Sequence, residues 1–258
     1  MTDFIRDYWE GQGSKHGASH EASWGDNYAI ALEIDTIAAH LADGNAVLDV
    51  GCANGYSAFQ QLERRQLGRL VGVDYSAAMI AAARKAATSR ALGDRVEFHE
   101  GDVRKLALPD ATFDVVYTTR VLINLPNWEE QKTGITECLR VARPGGKVIF
   151  LEAFWEPLVL LNALRALVKL PALVEHDFNR YLKQDKLEGF LKSLGLDFRV
   201  EDFSSVYYLG SRFLRELVTD PAAWPGYSNP INRIFHDIER EYSGGGFGIQ
   251  KAYVVQKR

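Results

Sequence analysis

Three aspartates punctuate the first half of the chain, each at the end of an apolar run. Asp49 lies inside "VLDVGCANG" (47–55), Asp74 ends "GRLVGVD" (68–74), and Asp102 closes "DRVEFHEGD" (94–102). The turn after Asp49 reads Gly51-Cys52-Ala53-Asn54-Gly55, small enough to let a ligand touch backbone. Carboxylates so placed accept hydrogen bonds from a diol or an amine and attract an ammonium group. Asp74 stands 19 residues beyond Gly55, the spacing of the ribose-binding acid in dinucleotide sites. The glycines do not complete G-x-G-x-x-G, however, and Asp49 opposes a pyrophosphate at the following helix start. A nicotinamide-dinucleotide oxidoreductase is therefore the weaker reading. S-adenosylmethionine carries an ammonium and a sulfonium, has no phosphate, and offers a ribose diol and an adenine amine to two further carboxylates.

Placing three acids around one ligand requires elements that bring distant positions together. Strand-like and helix-like segments alternate through residue 155. Residues 45–50, 68–74, 94–102, 112–119 and 146–154 read as strands. Between them, 56–66 reads as a helix, 76–91 as an alanine-rich helix capped by Ser76, and 127–142 as a helix capped by Asn127 and stopped by "RPGG". Apolar strands alternating with helices predict a parallel sheet covered on both faces. Ligands bind such sheets at the carboxyl ends of the strands, where all three aspartates fall. Beyond 155 the pattern changes. An amphipathic helix is expected near 157–170, a helix over 185–195, a long strand over 197–209 and a last strand over 246–257. Residues 209–246 make an insertion too long for a hairpin loop, read as an ordered helical cap.

Composition narrows the functional classes. The 258 residues are 47% hydrophobic and 25% charged, with a formal net charge of -4, which fits one large α/β domain. No basic stripe marks a nucleic-acid partner. No apolar run approaches the roughly 18 residues of a membrane span. Cys52 and Cys138 form neither a disulfide framework nor a metal motif, and no metal is expected. The start, "MTDFIRDYWEG", lacks the charge order of a signal peptide, so a cytoplasmic protein with reduced thiols is expected.

"VLDVGCANG", "GVDYS", "EGDVRKLALPDATFDVVYTTRVLINLPN" and "ECLRVARPGGKVIF" together resemble the class I S-adenosylmethionine-dependent methyltransferases over residues 45–155. The resemblance implies a Rossmann-like, seven-stranded, mostly parallel sheet with a terminal antiparallel hairpin, plus helical lid insertions. It implies a single methyltransferase domain over 1–258. Residues 1–40 would be an N-terminal lid, 41–155 the cofactor core, and 156–183 and 209–246 acceptor-side insertions. S-adenosylmethionine would be the cofactor. Asp49, Gly51 and Gly55 would shape the methionine end, with backbone from Cys52 and Ala53. Asp74 would take the ribose hydroxyls, Tyr75 and Met79 would pack near adenine, and Asp102 would accept from the adenine amine with the Val103 N–H nearby. Thr119 and Arg120 would border the sulfonium and the methionine carboxylate. Ala53 departs from the family pattern, which has glycine there.

Methyl transfer from a sulfonium is an in-line displacement that depends mainly on alignment. A hydroxyl acceptor also needs a base. His176 is the first candidate and Glu152 the second, with His16, His20, Asp177 and His236 as further titratable side chains outside the core. The expected acceptor is a small molecule, an oxygen of a sugar or natural-product intermediate. An amine acceptor and a non-catalytic cofactor-binding regulator are the alternatives. The aromatic residues of the insertions would serve as lids or as a homodimer interface.

Overall fold

The computed structural model describes residues 3–17, 19–220, 222–223 and 225–258. The expected order of strands and helices is present over residues 45–155. Helix α1 (Asp3–His16) and helix α2 (Asn27–Ala38) precede strand β1 (Ala46–Val50). Helix α3 (Tyr56–Arg64), strand β2 (Arg69–Asp74), helix α4 (Ala77–Ser89), strand β3 (Val96–Glu100) and strand β4 (Phe113–Thr119) follow. Helix α5 (Trp128–Val141) leads directly into strand β5 (Ala142–Ala153). The caps are the expected ones. The Ser76 Oγ accepts the Met79 N–H at 3.2 Å, and the Asn127 Oδ1 accepts the Glu130 N–H at 3.0 Å.

Seven strands form one sheet in the order β3-β2-β1-β4-β5-β7-β6. Strands β1 to β5 pair in parallel, and β7 (Gln250–Gln256) runs antiparallel to both β5 and β6 (Asp197–Glu201). Apolar clusters cover both faces, which is why the inner strands are near-continuous hydrophobic runs. Tyr117, Phe150 and Leu48 are fully buried between them, each contributing about 1.5–3 kcal/mol of transfer free energy. The chain order reverses direction across β1 and β4, so a crevice opens at the carboxyl ends of those two strands.

Two expectations change after β4. The "RPGG" segment does not separate α5 from a strand beginning at 146. Pairing starts at Ala142, opposite Phe113, because the Ala111 and Thr112 N–H groups bond to the Arg140 and Val141 carbonyls before Pro144 is reached. The register then slips, and regular pairing resumes at Lys147. The strand expected over 197–209 ends at Glu201. Residues Ser205–Leu209 form helix α8 instead, which runs through a π-turn at Gly210–Leu214 into the short helix α9 (Arg215–Val218). The switch has a tertiary cause: the Glu239 carboxylate accepts the Tyr207 N–H at 2.8 Å, and the Ser204 hydroxyl donates to the Gln250 carbonyl at 2.8 Å.

Helix α6 (Trp155–Leu167) follows β5, and helix α7 (Gln184–Ser193) precedes β6. Helix α10 (Pro230–Glu241) is capped by Asn229 with Pro230 in its first turn. The 209–246 segment is thus mostly helical, as expected, although the cap begins earlier, at Ser205. No helix among the described residues is long and apolar enough to cross a membrane. Both cysteines are buried and free.

Candidate functional site

At the switch point lies an open cavity of ≈ 1020 Å³, its solvent mouth included. Of the twelve residues expected at a cofactor, Asp49, Gly51, Cys52, Ala53, Asp74, Tyr75, Met79, Asp102, Val103, Thr119 and Arg120 line it. Gly55 does not. It starts α3 at φ 79°, and a Cβ there would stand 2.8 Å from the Phe98 ring, so its task is to turn the chain.

The turn is held by Asp74. One Asp74 oxygen accepts the Ala53 N–H at 2.8 Å and the other accepts the Ser76 N–H at 2.9 Å. Burial raises the Asp74 carboxyl above its ordinary range, opposed by those backbone bonds. Asp49 is 2% exposed, and its Oδ2 has no hydrogen-bond partner among the described residues. Burial pushes its pKa up to about 7, the Tyr117 hydroxyl beside it pulls the other way, and the Asp74 charge adds to the rise. Asp102 behaves differently. Burial acts upward on it, but the hydrogen bonds and charge of Arg104 outweigh this and hold it below the usual carboxylate range. Arg104 also pairs with Glu130 at 2.9 Å. The Thr119 and Tyr75 hydroxyls and the Asn124 amide oxygen are further buried polar atoms of wall residues without a partner among the described residues.

Ala53 adopts φ 47°, the left-handed region that the family's glycine would enter without strain. Ala53→Gly should therefore raise the thermal unfolding midpoint by about 1–3 °C, the released strain being partly offset by the looser unfolded chain. A lower midpoint in that variant would mean that the alanine methyl is packed to advantage.

Arg120 is also left-handed, at φ 57°. Its guanidinium does not reach freely into the cavity. It forms a two-pronged pair with Glu33 of α2 at 2.8 and 3.3 Å and lies 5.0 Å from the Trp24 ring centre. Glu33 is completely buried and takes a second bond from Gln250. Arg120 thus joins the rim of the cavity to α2.

The two expected catalytic residues are not brought to the cavity. Glu152 is fully buried and accepts from the Thr118 hydroxyl at 2.7 Å and from the Val121, Leu122 and Ile123 N–H groups at 3.1–3.4 Å. Burial pushes its pKa to about 7 against those bonds. Its carboxylate organises the turn after β4 and has no face toward the cavity. His176 is exposed, stacks beside Phe178 and Tyr8, and lines a separate groove with Trp155, Val159 and Arg180. Of the other titratable candidates, His16 pairs with Glu21, His20 lies against Tyr56, Asp177 lines the His176 groove, and His236 is buried in the cap.

Several wall residues carry no sequence signal of their own. Ile5 and Trp9 of α1, Ser23, Ile30 of α2 and Asn124 complete the cavity. Asn54, in the middle of the glycine turn, is 1% exposed and also lies at the cavity wall, its amide donating to the Gly17 and Ser19 carbonyls at 2.6 and 2.7 Å. Asn54 was the readable one, since an amide inside so small a turn must find partners when buried.

Residues 47–146 match the family described as methyltransferase domain. The chain is 38% identical over 108 residues to a probable S-adenosylmethionine-dependent methyltransferase of Mycolicibacterium smegmatis, covering 42% of this chain and 38% of that protein. It is 28% identical over 202 residues to a ubiquinone biosynthesis O-methyltransferase of Hahella chejuensis, covering 76% and 79%. The chain spans less than half the length of the first curated relatives it matches. In fold it is similar to magnesium protoporphyrin IX methyltransferase from Synechocystis, with a TM-score of 0.63, 17% identity and full coverage of both chains. The chain thus carries, over residues 47–146, a methyltransferase domain of the class I S-adenosylmethionine-dependent kind.

Proposed function

We propose that this protein transfers a methyl group from S-adenosylmethionine to a small molecule, an oxygen of a sugar or natural-product intermediate being the acceptor. The observation that carries the reading is the buried, unpartnered Oδ2 of Asp49 beside a glycine turn, in a cavity with two further carboxylates. Such a donor set fits a cationic, phosphate-free adenosine derivative. Relatives that include a demethylmenaquinone methyltransferase and a ubiquinone biosynthesis O-methyltransferase support a small-molecule acceptor.

When bound, the cofactor supplies an activated methyl on a sulfonium. The chain's residues divide the tasks around it. Asp49 would hold the ammonium. Asp74 would keep the turn in place with its two backbone bonds and accept the ribose hydroxyls on its remaining lone pairs. Asp102, fixed by Arg104, would accept from the adenine amine, with Tyr75 and Met79 against the ring. Thr119 and the backbone at Gly51 would border the reacting end, while Ile5 and Trp9 exclude water above it. Among the described residues that line the cavity there is no histidine. That favours, as second reading, an amine nitrogen that attacks with its own lone pair.

Calorimetric titration with S-adenosylmethionine tests the reading. The wild-type chain should saturate at one site, and Asp74→Ala should weaken binding about 10- to 100-fold, since charge-assisted hydrogen bonds are lost. A wild-type protein that does not bind the cofactor removes the proposed function. Unchanged affinity in the variant removes Asp74 from the ribose site alone.

A further inference from the structure

Helix α1 forms one wall of the cofactor cavity through Ile5 and Trp9, and side-chain hydrogen bonds anchor it toward α4 and toward the glycine turn. The Glu10 carboxylate accepts the Ala77 N–H at 2.7 Å and the Ala78 N–H at 3.0 Å, the first two free donors of α4. A carboxylate at that end of a helix also gains from the helix dipole. Three residues on, Gly13 packs directly over the same turn. A Cβ on it would stand 2.9 Å from the Met79 nitrogen, so only glycine lets the two helices approach this closely. Arg6 completes the contact, with its guanidinium 5.1 Å from the Tyr75 ring centre and 3.4 Å from Glu100. At its far end α1 gives way to Gly17 in the left-handed region, and there Asn54 takes hold of the Gly17 and Ser19 carbonyls.

Both anchors sit on the two pieces of chain that hold the adenosine. Ala77 and Ala78 follow Asp74 and Tyr75 directly. Asn54 lies between Ala53, whose N–H is bound by Asp74, and Gly55. We infer that Glu10 and Asn54 are positioning residues that latch α1 over the adenosine half of the cavity and set the rate at which cofactor and demethylated product exchange. The inference rests on the cofactor reading above. Tyr8 and Trp9 pack against Phe178 on the other side of α1, which leaves the α4 side to be released when the wall opens.

The experiment is a chase of bound, radiolabelled S-adenosylmethionine with excess unlabelled ligand, alongside hydrogen exchange of residues 4–17. Three single variants are compared with wild type: Glu10→Gln, Asn54→Ala and Ala77→Pro. Ala77→Pro removes one donor to Glu10 and leaves the carboxylate in place. Proline is tolerated at the first position of a helix, and Ser76 already has the extended conformation (φ -87°, ψ 119°) that a following proline demands. Glu10→Gln and Ala77→Pro should each speed release about tenfold and expose α1 to exchange in the bound state, while the association rate changes little. Release at the wild-type rate in both, from protein that binds the cofactor, overturns the latch. Wild-type protein that does not bind refutes the cofactor reading, and the latch with it. Asn54→Ala should act in the same direction. If it weakens binding only through slower association, Asn54 belongs to the turn and not to the latch.

Discussion

Asp49→Asn is expected to make the protein more stable and the cofactor weaker. The two effects have one cause. The Asp49 carboxyl is buried with one oxygen unpartnered among the described residues, and burial holds its pKa at about 7 against an ordinary value of 3.8. A group whose folded pKa is raised costs nothing below its unfolded pKa, where both states are protonated. The cost grows as pH rises from about 4 to 7 and is complete above that. At pH 8 the substitution should recover up to about 4 kcal/mol, less whatever the asparagine amide leaves unpaired. In the same variant the cofactor ammonium loses its counter-charge, and affinity should fall about 10- to 100-fold. The pH dependence separates this from a general disturbance. Wild-type affinity should rise through pH 6 to 8 as Asp49 ionises, and the variant's affinity should stay flat over that range. Scanning calorimetry and titration at pH 6, 7 and 8 decide it. Equal pH slopes in the two proteins would sink the assignment of Asp49. Some pH dependence of stability will persist in the variant, because burial also raises Glu152 and Glu239 to about 7.

The parts of the site that were legible in the sequence are those that the chain builds locally or by regular pairing. Asp49, Ala53 and Asp74 lie on adjacent parallel strands and the turn between them, so reading the strands placed the acids. Ser76 and Asn127 act on donors three residues away, which is why their caps were also readable. What escaped depends on partners distant in sequence. "DFSSVYYL" alternates as a strand would, and only Glu239, 32 residues beyond Tyr207, turns it into a helix. Glu152 looked like a free acid at a strand end because nothing local shows that three N–H groups of the next turn converge on it. His176 follows β5 in the chain, but the loop carries it outward against the Tyr8 ring. Glu10 gives no local hint at all, since its partners are 67 and 68 residues away.

Arg212→Met should be the most destabilising single change in the cap. Asp26 is completely buried at the start of α2, where it caps that helix through the Ala29 N–H at 3.1 Å and accepts the Tyr207 hydroxyl at 2.6 Å. Its only cation among the described residues is Arg212, 2.5 Å away and framed by the rings of Tyr207, Tyr208 and Tyr227 at 4.6–5.9 Å. Removing the guanidinium strands a buried carboxylate, which costs about 3–5 kcal/mol. In a chain of this size that lowers the unfolding midpoint by roughly 6–20 °C. The double variant Asp26→Asn/Arg212→Met should regain most of the loss, because asparagine still caps α2 and leaves no charge to satisfy. Additive losses in the double variant would mean that Arg212 acts by packing on the tyrosines and not by neutralising Asp26. The pair also ties the cap to α2, whose Ile30 lines the cofactor cavity and whose Glu33 holds Arg120 at the rim. Loosening it should therefore also raise the cofactor Kd several-fold, read by calorimetric titration. An unchanged cofactor Kd would show that the cap moves independently of the cofactor wall.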